Sequence, residues 1–162
     1  LMADIKAKYG GSNQSITITI NGLANDAKRE STAIDNSTNC FLDALVQVKI
    51  ATNTSADSTG DKSVYVYAYG TTDEGTTCSG NASGSDAAFG TDPQQLNNCR
   101  LIGVVYAPTQ NRVYESDLMS IASAFGGSLP QRWGVIVHNK TGQTLKTSDC
   151  SAVYQGLYAQ SS

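Results

Sequence analysis

The chain has 162 residues, a length that suits one domain able to bury a continuous core without metals or obligatory disulfides. Only 15% of the residues are charged and the formal net charge is −3, so nothing resembles a basic footprint for nucleic-acid phosphates. No apolar run approaches the roughly 20 residues that span a bilayer, and polarity carried by Gly, Ser, Thr and Asn favours turn-rich β structure over charge-laced helices.

Residues 1–14 read as an extended N-terminal arm carrying Lys6, Lys8 and Tyr9. The stretch from Met2 lacks the apolar core of a signal peptide, so synthesis in a cytosol is expected. Residues 15–162 then form one domain. Its first strand signal is the strict alternation of Ile16, Ile18 and Ile20 with Ser15, Thr17 and Thr19. Asn21-Gly22 is a turn, and 23–38 is polar, with room for at most a helical turn. Residues 41–51 settle into alternation at Val46, Val48 and Ile50 and read as a strand ending near Thr52.

In 63–70, Val64, Val66 and Ala68 alternate with Tyr65, Tyr67 and Tyr69. A tyrosine face is either ordinary strand chemistry, rings stacking across neighbours, or a subunit contact. Residues 71–98 form a long Thr/Gly/Ser/Asn loop in which Ala87, Ala88, Phe89 and Leu96 could anchor; loops of that length are usually functional or mobile. Residues 100–107 read as a buried strand that stops at Pro108, followed by a short strand at 113–115. Residues 118–125 fit helix and strand spacing alike, and neighbouring strands favour strand.

The stretch 129–145 holds the only Trp and the only His. Trp133, Val135 and Val137 alternate with Arg132, Gly134, Ile136 and His138, and 139–142 is turn chemistry. With a return strand over 143–147 it reads as a hairpin whose Trp133 fills the core. Residues 152–159 close the chain as a core strand. About eight strands with little or no helix and no βαβ alternation predict an all-β fold, an antiparallel two-sheet sandwich, with a jelly roll as one form of it.

No constellation carries catalysis. His138 has no neighbouring acid or nucleophile elbow in the sequence, so it reads as a sheet-edge histidine and not as a triad member. The four cysteines are isolated, and with one His a zinc site is not expected. Cys78 and Cys99 flank the long loop and are the one pair considered for a disulfide. Asp57, Asp61, Asp73, Glu74, Asp86 and Asp92 fall in loops without the ligand spacing of a calcium motif. Five Asn-x-Ser/Thr sequons, at Asn13, Asn36, Asn53, Asn81 and Asn139, are what an Asn/Ser/Thr-rich chain yields by chance. No catalytic residue, metal or cofactor is expected.

Taken in order, the segments at 2–10 (Met-Ala-Asp-Ile-Lys-Ala-Lys-Tyr-Gly), 15–20, 39–50 (Asn-Cys-Phe-Leu-Asp-Ala-Leu-Val-Gln-Val-Lys-Ile), 64–70, 129–142 and 154–160 resemble small virion structural proteins of tailed bacteriophages, of the capsid decoration or cement type. The resemblance spans nearly the whole chain and implies a non-enzymatic protein. Such a protein binds the outside of the head, with the major capsid protein as partner and often as a homotrimer. No nucleic-acid or membrane partner is expected. Lys6, Lys8 and Tyr9 are the candidates for capsid contact, and Tyr65, Tyr67 and Tyr69 for the oligomer interface. A carbohydrate-binding or host-adhesion module of a tail or head fibre is the alternative.

Overall fold

The computed structural model describes residues 4–90 and 92–161, without the side chains of residues 93 and 94. Among them are twelve strands in two antiparallel sheets, an all-β two-sheet sandwich as the alternation predicts. The first sheet runs β1 (Ile5–Tyr9), β12 (Ser151–Ser161), β5 (Asp43–Ala51), β10 (Met119–Ser120); β2 (Gln14–Ser15) also pairs with β12 and β9 (Val113–Glu115) with β5. The second runs β7 (Ala87–Ala88), β3 (Lys28–Glu30), β11 (Arg132–Lys140), β6 (Ser63–Thr71), β8 (Arg100–Tyr106), with β4 (Ile34–Asp35) also on β11.

The main core lies between the sheets. Val46, Val48, Ile50, Ala152 and Tyr154 meet Val64, Val66, Ala68, Trp133, Val135 and Val137, the inward residues of the period-2 strands. A second core lies on the outer face of the second sheet. There the excursion between β6 and β8 folds back, so that Cys78, Ala82, Phe89, Leu96 and Cys99 bury Tyr69 and Ile136. The predicted long loop is therefore a packed third layer. Polar clamps fasten it: Glu30 accepts from Ser83 N (2.8 Å) and Ser83 Oγ (2.7 Å), and Asp86 accepts from Thr19 N (2.9 Å) and Arg29 Nε (2.6 Å).

Several expectations are corrected. The arm over 1–14 is extended and, over residues 5–9, paired antiparallel with 157–161, although its sequence shows no clean alternation; residues 1–3 lie outside the described residues. Residues 16–20 keep their predicted faces but belong to neither sheet. Ile16 N bonds Ala152 O in the first sheet and Thr17 O accepts from Thr32 N beside the second, so the segment crosses between them. The 129–145 hairpin does not form. β11 is flanked by β3 and β6, and the chain beyond it crosses to the other sheet, with Leu145 buried and bonded to Leu23. Residues 118–125 divide between β10 and a 3-10 turn at Ala122–Phe125, ended by left-handed Gly126. Residues 100–107 are an edge strand with an exposed face, not a buried one. Lys28–Glu30 and Ile34–Asp35, read as polar coil, are strands.

Candidate functional site

The first sheet is longer than its neighbours at one end. β12 pairs with β5 only as far as Leu157, where it meets Asp43; from there to Ser161 its ladder partner is β1. The two strands thus project as a two-stranded ribbon. Ile5, Ala7 and Tyr9 share one face with Leu157 and Ala159, while Lys6 and Lys8 share the other with Tyr158 and Gln160. Every β1 side chain is exposed, Ile5 by 78% and Tyr9 by 58%, and exposed Leu42 lies beside the root, its N–H bonded to Leu157 O.

The root is built from close approaches. Phe41 packs over Gly10 and Gly156, where an added Cβ would come within 2.7 and 2.3 Å of its ring. Its ring also meets that of Tyr158 at 6.2 Å. Lys6, Lys8 and Tyr9 are thereby brought onto one ordered, solvent-facing element. Ile5 and Leu42 complete it and were missed, since a lone Ile and a Leu before a strand carry no signal of exposure.

The tyrosine face is not a free surface. Tyr69 is fully buried: its hydroxyl donates to Ser31 O (2.6 Å) and its ring lies so close to Gly134 that a Cβ there would sit 2.3 Å away. Burial pushes its phenol far above the usual range. Tyr67 is half-buried against the third layer, and Tyr65 packs beside His138, ring centres 6.5 Å apart. Tyr69 is therefore not on the surface, because the excursion covers it, and Tyr67 is partly covered with it.

His138 does have an acid neighbour. The turn at 25–26 places Asp26 Oδ1 3.0 Å from His138 Nε2 and 3.2 Å from Lys140 Nζ. Burial lowers the imidazole pKa despite the Asp26 bond, and the His138 and Lys140 bonds lower that of Asp26. The carboxylate pairs with the Lys140 cation and shares a hydrogen bond with the half-buried imidazole, a polar cluster at a strand end. Among the described residues no nucleophilic side chain is hydrogen-bonded to the imidazole.

Cys78 and Cys99 belong to one buried cluster but are free thiols, not the bridge considered from sequence. The loop is closed by the Phe89 and Leu96 packing and the Glu30 and Asp86 clamps. Burial raises both thiols, Cys99 to about 11, and so disfavours the reactive thiolate. Two of the loop acids, Asp73 and Asp86, are fixed by hydrogen bonds, the first to its own loop and the second to distant residues. Asp73 accepts from Thr71 Oγ1, Thr76 N and Thr77 N and is held down to about 2 by the Thr71 hydroxyl first. For Asp86, burial is outweighed by bonds from Arg29 and Thr19. Among the described residues no three His, Cys, Asp or Glu side chains gather as a metal site. Asn36 and Asn139, in two of the sequons, are buried hydrogen-bonding residues.

One cleft stands out, about 760 Å³, where the end of β6 meets the loop before β11. Phe125, Leu129 and Pro130 form its apolar wall, and Thr72, Thr77, Ser128 and Gln131 its polar rim; among the described residues no charged side chain lines it.

No family model matches this chain, and comparison with curated proteins and with solved structures likewise gives no match. Among the described residues no helix is long and apolar enough to cross a membrane.

Proposed function

We propose that this chain is a non-enzymatic decoration protein of a tailed-phage head, bound to the outer surface of the major capsid protein through the β1/β12 ribbon. The ordered set of segments that resembles phage virion proteins supplies the biological setting. The observation that carries the docking role is the ribbon itself. A two-stranded ribbon is at best marginally stable in water, yet this one holds Ile5 and Tyr9 outward. Burying those two side chains against a partner contributes about 1.5–3 kcal/mol each, while Lys6 and Lys8, on the opposite face, keep the other side of the ribbon in solvent or against a second capsid subunit. Because the protein binds only the assembled shell, it stabilises that shell by mass action. At a free concentration about 100-fold above Kd this amounts to about 2.7 kcal/mol per site.

Deleting residues 2–9 tests the role while keeping Gly10 and its bond to Gly156. The truncated chain is expected to retain its far-UV circular dichroism and to bind purified expanded heads at least about 100-fold more weakly, each tenfold being 1.4 kcal/mol. A truncated chain that co-sediments with heads as well as the full chain does would overturn the proposal.

The neutral cleft favours a second reading, a carbohydrate-binding adhesion module. A hydroxyl and amide rim beside a Phe125 wall suits a neutral polyhydroxy ligand, whose C–H face packs on apolar surface. Location on the tail instead of the head separates that reading from the first.

A further inference from the structure

We infer that β8 is a self-association edge, on which a second copy of this chain pairs antiparallel with its own β8. Open sheet edges invite unwanted pairing, and native proteins guard them with charge, brevity or cover. Three of the four ends of the two sheets are guarded here. β1 carries Lys6 and Lys8, while β7 and β10 are two residues long. β8 is seven residues long, and its one charge is Arg100, at its first position. Its register shift lies opposite Val66 and Tyr67, leaving 103–106 in regular register with 63–66. Its outward side chains are apolar: Leu101 is 52% exposed, Val104 47% and Tyr106 61%.

The distribution of exposed apolar residues points the same way. Among the described residues eight large hydrophobics are exposed; Ile5, Tyr9 and Leu42 belong to the ribbon, and the other five, Leu101, Val104, Tyr106, Val113 and Leu118, lie on β8 and the segment after it. β8 packs against β9 and β10, and β10 and β1 are opposite ends of the first sheet. The β8 edge is therefore a separate surface from the ribbon, and the inference does not depend on the shell-binding reading. Residues 100–107 look like a buried strand in sequence because they are composed as one, with a missing neighbour.

That neighbour is a second copy because the strand is complementary to itself. Antiparallel pairing keeps the two Arg100 guanidinium groups about 20 Å apart, the length of seven strand residues. Leu101, Val104 and Tyr106 lie on one face of the strand, opposite Tyr67, Tyr65 and Ser63, so the pairing also extends a single apolar outer face across the joint. Parallel pairing would set the two charges side by side. The antiparallel contact is isologous and closes at two copies, joining the second sheets of both into one. It therefore predicts a dimer of the free protein, where the phage resemblance implies a trimer.

Sedimentation equilibrium of the full chain over a wide concentration range tests this. The expected mass is twice the 17.0 kDa of one chain. Val104→Lys, at an exposed position, is expected to raise the dimer dissociation constant at least about tenfold with an unchanged thermal midpoint of the monomer. Ile5→Lys, on the ribbon, should leave it unchanged. A wild-type monomer at every concentration, a trimer, or a dimer indifferent to Val104→Lys overturns the inference.

Discussion

Trp133→Ala is expected to remove about 3–5 kcal/mol of folding stability, a large share of the roughly 5–15 kcal/mol that holds a typical domain. Trp133 is buried on β11, opposite Gly70 and Ile34, and its ring stands edge-on to Tyr154 of the other sheet, centres 5.2 Å apart at 88°. It is therefore the largest side chain joining the two layers. Its loss leaves a cavity that strands fixed on both sides by ladders cannot collapse into. The edge-to-face contact adds about 0.5–1.5 kcal/mol beyond buried area. Urea unfolding followed by far-UV circular dichroism measures this without the lost fluorophore. A change below about 1 kcal/mol, the size of an ordinary surface substitution, would mean that Trp133 does not hold the sheets together.

Asn139 carries the second large effect, through hydrogen bonds instead of volume. Its buried amide nitrogen lies 2.9, 3.1 and 2.8 Å from the carbonyls of Leu23, Ala24 and Gln143, and its Oδ1 accepts from Thr141 N (3.0 Å) and Thr141 Oγ1 (2.7 Å). This one side chain ties the end of β11 to the turn after residue 22 and to the crossing toward the first sheet. Asn139→Ala strands several buried groups, each at about 1–3 kcal/mol, so a loss of about 3 kcal/mol or more is expected. Asn139→Asp should be worse than alanine at neutral pH, because it points a carboxylate at three carbonyl oxygens in a buried site. Thermal unfolding of the two variants gives the order; an aspartate variant as stable as wild type would contradict it.

Both residues show how much the sequence disclosed. Trp133 was legible as core because strict alternation with Val135 and Val137 is a local signal, and the same holds for Val46, Val48 and Ile50 and for Val64, Val66 and Ala68. Asn139 looked like a turn residue, and its structural work was invisible because its partners lie 116, 115 and 4 residues away. Glu30 failed as a strand signal for the same reason. A carboxylate is buried in β3 only because Ser83 satisfies it from the third layer.

Long-range covering also decided the faces. Tyr69, whose face reads as ring stacking or a subunit contact, is interior, since the excursion folds over it, while β8, which reads as a buried strand, lies at an edge. At the candidate site, Lys6, Lys8 and Tyr9 were identifiable from a polar, aperiodic start. Their pairing with β12, the exposure of Ile5 and the projection beyond Asp43 depend on the far end of the chain.

The proposed role requires one location, the outer surface of a phage head. Cryo-electron microscopy of virions carrying this protein tests it most directly. The predicted result is two-sheet density at junctions between capsid subunits, with the β1/β12 ribbon lowered onto the shell. Density for this chain on the tail, with the head surface bare, would contradict it.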